Sequence, residues 1–198
     1  MRSCDARETV RLSTVAELAC TDWQEPPVLE MDDEGSELPL ERQSLLVLKT
    51  LRRTIAEKAE LILLLEDDLI FNKHLSHNVH AWHPVRQLRR GQHFFGSLYN
   101  SGVTFDRLVP ALAYGEARPQ SVLGSQAFLI SRATARYMVT CWGVESALHV
   151  DVKLRCLAAR QCPLFYHIPS LVQHVGYEST WEGPMLSACD FDPDWRAN

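Results

Sequence analysis

The chain has 198 residues, of which 46% are hydrophobic and 23% are charged. This composition is ordinary for a folded globular protein and excludes a chain that is disordered throughout. The formal net charge of −5 gives no overall basic character of the kind that nucleic-acid-binding domains use, so we expect no nucleic-acid partner.

The length favours one domain over residues 1–198. Residues 1–42 form an acidic N-terminal part, and residues 178–198 are expected to be an irregular tail. The longest purely aliphatic run, Leu61–Leu65, is too short to cross a bilayer, and the first residues lack the apolar stretch of a signal peptide. We therefore expect no integral membrane segment and a cytoplasmic protein, or a chain trimmed of its targeting region.

Hydrophobic periodicity predicts helices that alternate with strands. A helical pattern begins at Leu40, and the continuously apolar Leu61–Leu65 indicates a strand buried on both faces, as in a parallel sheet. Further helices are predicted at about 73–82, after Ser131 as N-cap, and at about 152–160; further strands are predicted at 94–98, 121–130 and 164–168. This alternation predicts a three-layer α/β domain with a mostly parallel central sheet.

Three adjacent carboxylates, Glu66, Asp67 and Asp68, follow the Leu61–Leu65 strand, at the sheet edge where α/β proteins bind ligands. The three charges repel one another, and a divalent cation such as Mg²⁺ or Mn²⁺ removes that conflict. In an extended backbone Glu66 and Asp68 point to the same side, so we expect Asp68, supported by Glu66, to face the ion. The alternatives are a solvated turn, or Asp67 or Asp68 as a cap of the next helix.

Two residues from the second half of the chain are candidates for the same site. His174 follows the last predicted strand, where a neutral imidazole would complete the set of metal ligands; a buried structural histidine is the alternative. Asp151 stands just ahead of the predicted helix 152–160. It would either accept a proton from an attacking hydroxyl group or have a structural role as the N-cap or a first-turn acid of the helix.

Several segments, in their order along the chain, resemble those of GT-A glycosyltransferases. Leu63–Phe71 resembles the acidic "DxD" element in a Glu-Asp-Asp form. Gly124–Ala133 and His149–Asp151 resemble segments of the lipopolysaccharide and collagen β-galactosyltransferase family. Pro169–Gly176 is closer to the N-acetylglucosaminyltransferase IV-like family. The resemblance covers about Leu45 to Thr180.

The resemblance implies a compact GT-A-like fold and a metal-dependent inverting glycosyltransferase. The donor would be a nucleotide-sugar, expected to be a UDP-sugar, held with Mn²⁺ or Mg²⁺, and the acceptor a hydroxyl of a glycan or another molecule. Seven residues are candidates for roles in this chemistry: Glu66, Asp68 and His174 as metal ligands, Arg7, Asp67 and Gln126 as donor contacts, and Asp151 as catalytic base.

The N-terminus departs from the GT-A pattern. Such domains open with an apolar strand, whereas Arg2–Arg11 is polar and predicts no strand. Two other functions use the same residues: a metal-dependent hydrolase of phosphoesters or nucleotide-sugars, and a catalytically inactive domain that binds a nucleotide or glycan. A hydrolase would release free sugar or phosphate when no acceptor is present. An inactive domain would bind the nucleotide or glycan without forming a product.

Overall fold

Alternating helices and strands make up the fold in the computed structural model, which describes residues 1–32, 38–121, 124–175 and 187–198. The helices in these ranges are α1 Glu8–Ala19, α2 Pro39–Ala56, α3 Leu75–Ala81, α4 His83–Arg86, α5 Arg132–Cys141 and α6 Val150–Ala159. The strands are β1 Arg2–Ser3, β2 Glu30–Met31, β3 Leu61–Leu65, β4 Leu69–Phe71, β5 Phe95–Ser97, β6 Phe105–Val109, β7 Tyr114–Ala117, β8 Ala127–Ser131, β9 Leu164–His167 and β10 Val172–His174.

Helix boundaries follow local start signals in the sequence. Proline suits the first position of a helix because its φ is already helical, and α2 begins at Pro39. Ser131 is the N-cap of α5, as predicted, because its Oγ accepts a hydrogen bond from the Thr134 N–H at 3.3 Å.

The central sheet has six strands in the order β3-β8-β5-β9-β7-β6. Only β5 and β9 are parallel, and the other neighbouring pairs are antiparallel. The prediction of a mostly parallel sheet is therefore wrong. That prediction was based on the apolar run of β3. This strand lies at the edge of the described sheet and runs antiparallel to β8. It is apolar throughout because both faces of the sheet are covered.

Two hydrophobic cores lie against the sheet. Ile62 and Leu64 of β3 belong to the first core, together with Leu51 of α2, Met138 of α5 and Leu154 of α6. The second core contains alternate residues of the same sheet with side chains from the first and third helices: Leu65, Leu129, Leu18, Leu75 and Val79. The α/β class is thus confirmed, with helices packed on both sides of a mixed sheet.

Two short strand pairs stand apart from the central sheet. β4 pairs antiparallel with β10, and β1 pairs parallel with β2. The expectation that the polar N-terminus contains no strand is wrong, because Arg2 and Ser3 are buried and form β1. The polar side chains hid this strand: inside the protein, Arg2 Nη2 binds Glu66 and the Ser3 hydroxyl binds Asp67.

Other boundaries differ from the sequence-based ones by a few residues. The strand predicted at 121–130 begins at Ala127, beyond Gly124. Residues 187–198 contain turns but neither helix nor strand, as expected of the tail, whereas 178–186 and the end of the Pro169–Gly176 segment lie outside the described residues. None of the described helices is long and apolar enough to span a membrane.

His167 at the end of β9 provides a test of this packing. Its ring is fully buried, and Nδ1 donates to the Pro169 carbonyl at 2.6 Å. Burial lowers the pKa of His167 to about 4. Between about pH 6.5 and 4 the unfolded chain therefore binds a proton that the folded protein does not. The free energy of unfolding is unaffected by His167 above about pH 6.5 and decreases as the pH is lowered towards 4.

We expect His167 to reduce the free energy of unfolding by about 2.5 kcal/mol between pH 7 and pH 4.5. Urea unfolding at the two pH values measures this change. In the His167→Asn variant, which keeps a donor for the Pro169 carbonyl but does not titrate, the pH dependence should be smaller by that amount. An equal pH dependence in the two proteins would contradict the prediction.

Candidate functional site

A cavity of about 470 Å³ lies where β3 ends, and all seven sequence-predicted site residues line it. They come from separate parts of the chain: Arg7 ahead of α1, Glu66, Asp67 and Asp68 between β3 and β4, Gln126 just before β8, Asp151 in α6, and His174 at the end of β10. The fold therefore brings together groups that are far apart in sequence.

The pairing of β4 with β10 places His174 beside Asp68. In this register His174 lies opposite Leu69, the residue after Asp68, and the Val175 N–H donates to the Asp68 carbonyl at 2.9 Å. The His174 Nε2 is consequently 3.0 Å from Asp68 Oδ2. One ligand atom each from Glu66, Asp68 and His174 lie within 4.8 Å of one another.

These three side chains fit a divalent cation. Neighbouring ligands of an octahedral ion with bonds of 2.0–2.1 Å lie about 3 Å apart, which is close to the separation of His174 Nε2 and Asp68 Oδ2. Asp68 Oδ1 is buried and has no hydrogen-bond partner among the described residues. Two carboxylates and an imidazole are donors that suit Mn²⁺, and Mg²⁺ is accommodated when waters complete its shell.

Asp67 is not part of this trio, and its carboxylate has other partners. Its Oδ1 accepts a hydrogen bond from Arg7 Nε at 2.8 Å, and its Oδ2 accepts one from the Ser3 hydroxyl. Arg7 also donates from Nη2 to Asp68 Oδ2 at 2.6 Å. One guanidinium group thus bridges two adjacent carboxylates.

Arg2 and Ser125 hold the Glu66 carboxylate, and neither was identified from the sequence. Arg2 Nη2 donates to Glu66 Oε1 at 2.8 Å, and the Ser125 hydroxyl donates to the same oxygen at 2.5 Å. Arg2 was overlooked because a polar N-terminus indicates an exposed segment. Ser125 lies within the Gly124–Ala133 segment. The one feature of the sequence that indicates a role for it in the site is its position next to Gln126.

The loop ahead of β8 connects Asp151 to the carboxylate trio. The Gly124 N–H donates to Asp151 Oδ2 at 3.2 Å, and two residues later the Gln126 carbonyl accepts from the Glu66 N–H at 2.9 Å. Gly124 has φ +73°, a left-handed conformation that residues with a Cβ rarely adopt, so the backbone here favours glycine.

Asp151 is not the cap of the following helix. α6 begins at Val150 and its N-cap residue is His149, which places Asp151 within the first turn. Of the two structural alternatives for Asp151, the N-cap is therefore wrong and the first-turn acid is confirmed. Its carboxylate is instead oriented towards the loop by the Gly124 N–H and lines the cavity.

The charges in the cavity stabilise one another. Burial raises the pKa of the Asp68 carboxyl, but the hydrogen bond and charge of His174, with the Arg7 guanidinium, outweigh it, so the pKa lies below its ordinary value. The hydrogen bond to Asp68 raises the pKa of His174 against the opposing effect of burial. The pairing with His174 and Arg7 therefore favours the ionised form of the Asp68 carboxyl.

Comparison with known proteins adds no family to this description. No protein-family model matches the chain, and no curated protein sequence is significantly similar to it. The resemblance to GT-A glycosyltransferases therefore stays a hypothesis from the sequence motifs, and the site is interpreted from its own geometry.

Thr14 fixes the backbone of the acidic segment. This α1 residue is 2% exposed; its Oγ1 donates to the Asp67 carbonyl at 2.7 Å and accepts from the Leu69 N–H at 3.0 Å. Thr14→Val keeps the shape but leaves two buried backbone groups without a partner. We expect a loss of about 2–4 kcal/mol in the free energy of unfolding, measured by urea denaturation.

Thr140→Val is the matched control, because Thr140 is an exposed helical threonine whose hydroxyl donates to the Arg136 carbonyl. Its effect should stay within about 0.5 kcal/mol. Equal effects of the two substitutions would show that Thr14 does not hold the acidic segment.

Proposed function

We propose that the protein is a metal-dependent inverting glycosyltransferase of GT-A-like fold, which transfers a sugar from a nucleotide-sugar, with a UDP-sugar as the expected donor, to a hydroxyl acceptor. One observation carries the proposal: a trio suited to a divalent cation and a separate carboxylate, Asp151, line the same cavity. The reaction needs these two groups, since one assists the leaving diphosphate and the other deprotonates the acceptor.

Glu66, Asp68 and His174 would hold the cation. When bound, Mn²⁺ or Mg²⁺ supplies Lewis-acid stabilisation of the negative charge that grows on the leaving diphosphate. The choice of these residues is supported by the buried Asp68 Oδ1, which lacks a hydrogen-bond partner in the described ranges.

Arg2 supports an anionic ligand in the same cavity. Its side chain is 4% exposed, and Nη2 is bound to Glu66 and Ser125. Nε and Nη1 are buried without a partner in the part of the chain that the structure describes. Unpaired guanidinium N–H groups match phosphate oxygens, so a nucleoside diphosphate would satisfy them.

Gln126 supports a polar, hydroxyl-bearing ligand. Its Oε1 is buried without a partner among the described residues, although the side chain lines the cavity. A sugar hydroxyl donates and accepts hydrogen bonds, so it would pair with this oxygen.

Asp151 would act as the base. The hydrogen bond from Gly124 orients its carboxylate, which accepts the proton of the acceptor hydroxyl as that oxygen attacks the anomeric carbon. The carbon passes through an oxocarbenium-like state, and attack from the side opposite the diphosphate inverts its configuration. Asp151 lies on α6, separate from the β3, β4 and β10 segments that carry the trio, which supports such a two-sided arrangement.

Calorimetric titration with UDP tests the cation site. We expect UDP to bind measurably with Mn²⁺ and at least about tenfold more weakly without it. Asp68→Asn should remove this dependence, because it removes the carboxylate charge between Arg7 and His174. Asp106→Asn is the control, since Asp106 is a surface acid paired with Arg118 outside the cavity. Equal UDP binding with and without metal in the native protein would show that Asp68 does not have this role.

Asp151→Asn tests the base. Transfer should fall by about 10²–10⁴-fold, whereas the Kd for UDP with Mn²⁺ should change less than about threefold. Transfer is followed by UDP release from a panel of UDP-sugars with oligosaccharide acceptors, and NMR of the product gives its anomeric configuration.

The same assay separates the alternative functions. Metal-dependent release of sugar without an acceptor would indicate the hydrolase, and UDP binding without either product would indicate a binding domain. Comparable turnover in the Asp151→Asn variant would exclude this residue as the base.

A further inference from the structure

Arg7 lies against Asp68, one of the carboxylates that would hold the cation, and against its neighbour Asp67. Its Nη2 is 2.6 Å from Asp68 Oδ2, and its Nε is 2.8 Å from Asp67 Oδ1. The same Asp68 Oδ2 faces His174 Nε2 at 3.0 Å. The Arg7 guanidinium, which is permanently positive, therefore contacts the same Asp68 oxygen that would bind the cation beside His174.

A guanidinium group cannot release this conflict by losing its proton, because it stays charged at all relevant pH values. Asp67 and Asp68 are nearly buried, with side-chain exposures of 7% and 8%, so charges near them are weakly screened. A divalent cation at Asp68 must therefore bind against the repulsion of Arg7, unless Arg7 exchanges its partner.

Arg7 is placed to make that exchange, and Arg2 is not. The Arg7 side chain is 26% exposed and extends into the cavity from the end of a short 3₁₀ turn, Asp5–Arg7. Arg2 is 4% exposed and bound to both Glu66 and Ser125. A diphosphate is the ligand that could take over the Arg7 guanidinium, since phosphate oxygens accept its forked N–H groups as carboxylates do.

We propose that Arg7 is the internal counter-ion of the cation site, and that Mn²⁺ and the donor diphosphate, binding together, exchange its carboxylate partners for phosphate oxygens. This inference rests on the proposed function. It assigns Arg7 a regulatory effect beyond a donor contact: Arg7 weakens binding of the cation alone and strengthens binding of the cation with a nucleotide. Coupling of this kind is reciprocal between the two ligands.

Neutral variants at position 7 separate the two effects. Arg7→Gln and Arg7→Ala should bind Mn²⁺ alone about tenfold more tightly than the native protein, and should bind UDP at saturating Mn²⁺ about tenfold more weakly. The ratio of the Mn²⁺ dissociation constants without and with UDP should shrink accordingly. Arg7→Lys keeps the charge, so its affinity for Mn²⁺ alone should stay within about threefold of the native value.

Arg42→Gln is the matched control. Arg42 lines the same cavity, and its Nε lies 3.5 Å from Asp32 rather than against a candidate metal ligand. The Arg42→Gln substitution removes one positive charge from the cavity. If any loss of positive charge there strengthened Mn²⁺ binding, this variant would show the same gain. We expect its affinity for Mn²⁺ alone to change less than about threefold.

Electron paramagnetic resonance of free aqueous Mn²⁺ gives the metal affinity directly, and calorimetry gives the UDP affinity; thermal unfolding in EDTA verifies that each variant is folded. The inference is overturned if the neutral Arg7 variants bind Mn²⁺ no more tightly than the native protein, or if Arg42→Gln gains as much. In either case, the proposed function is still supported if the native protein binds Mn²⁺ and UDP. Absence of Mn²⁺ and UDP binding in every protein would overturn both.

Discussion

The antiparallel pairing of β4 with β10 is the constraint on which the site depends. It joins the segment that follows the three acids to the strand that carries His174, and backbone hydrogen bonds continue it at both ends, from Asn72 to Leu171 and from Val175 to Asp68. A slip of one residue would turn His174 to the opposite face. Removing this pairing would therefore separate the His174 imidazole from Asp68.

Charge balance explains why the N-terminal segment is attached to this point. Buried carboxylates are tolerated only when they are paired and hydrogen-bonded. Arg2 binds Glu66, and Arg7 binds the two aspartates. β1 and the 3₁₀ turn that follows it therefore do more than extend the fold, because they place Arg2 and Arg7 against the carboxylates of the acidic segment.

The proposed function gives the groups that line the cavity different tasks. Glu66, Asp68 and His174 would hold a cation, and Asp151 would be the separate proton acceptor. The loop that begins at Gly124 fixes the relation between them, because one end of it contacts Asp151 and the other contacts Glu66. An inverting transfer needs this separation of a leaving-group side from a nucleophile side, whereas a site for the cation alone would not need Asp151.

The sequence by itself determined the α/β class, the β3 strand and the acidic segment at its end, because these follow from local periodicity and from the alternation of side chains along an extended chain. Ser131 as N-cap is local in the same way. Only the tertiary structure decided the strand directions, the buried β1 and the approach of His174 to Asp68, which are 106 positions apart. Such pairings depend on register and on partners elsewhere in the chain. A buried arginine with a carboxylate partner looks, in sequence, like any solvent-exposed arginine.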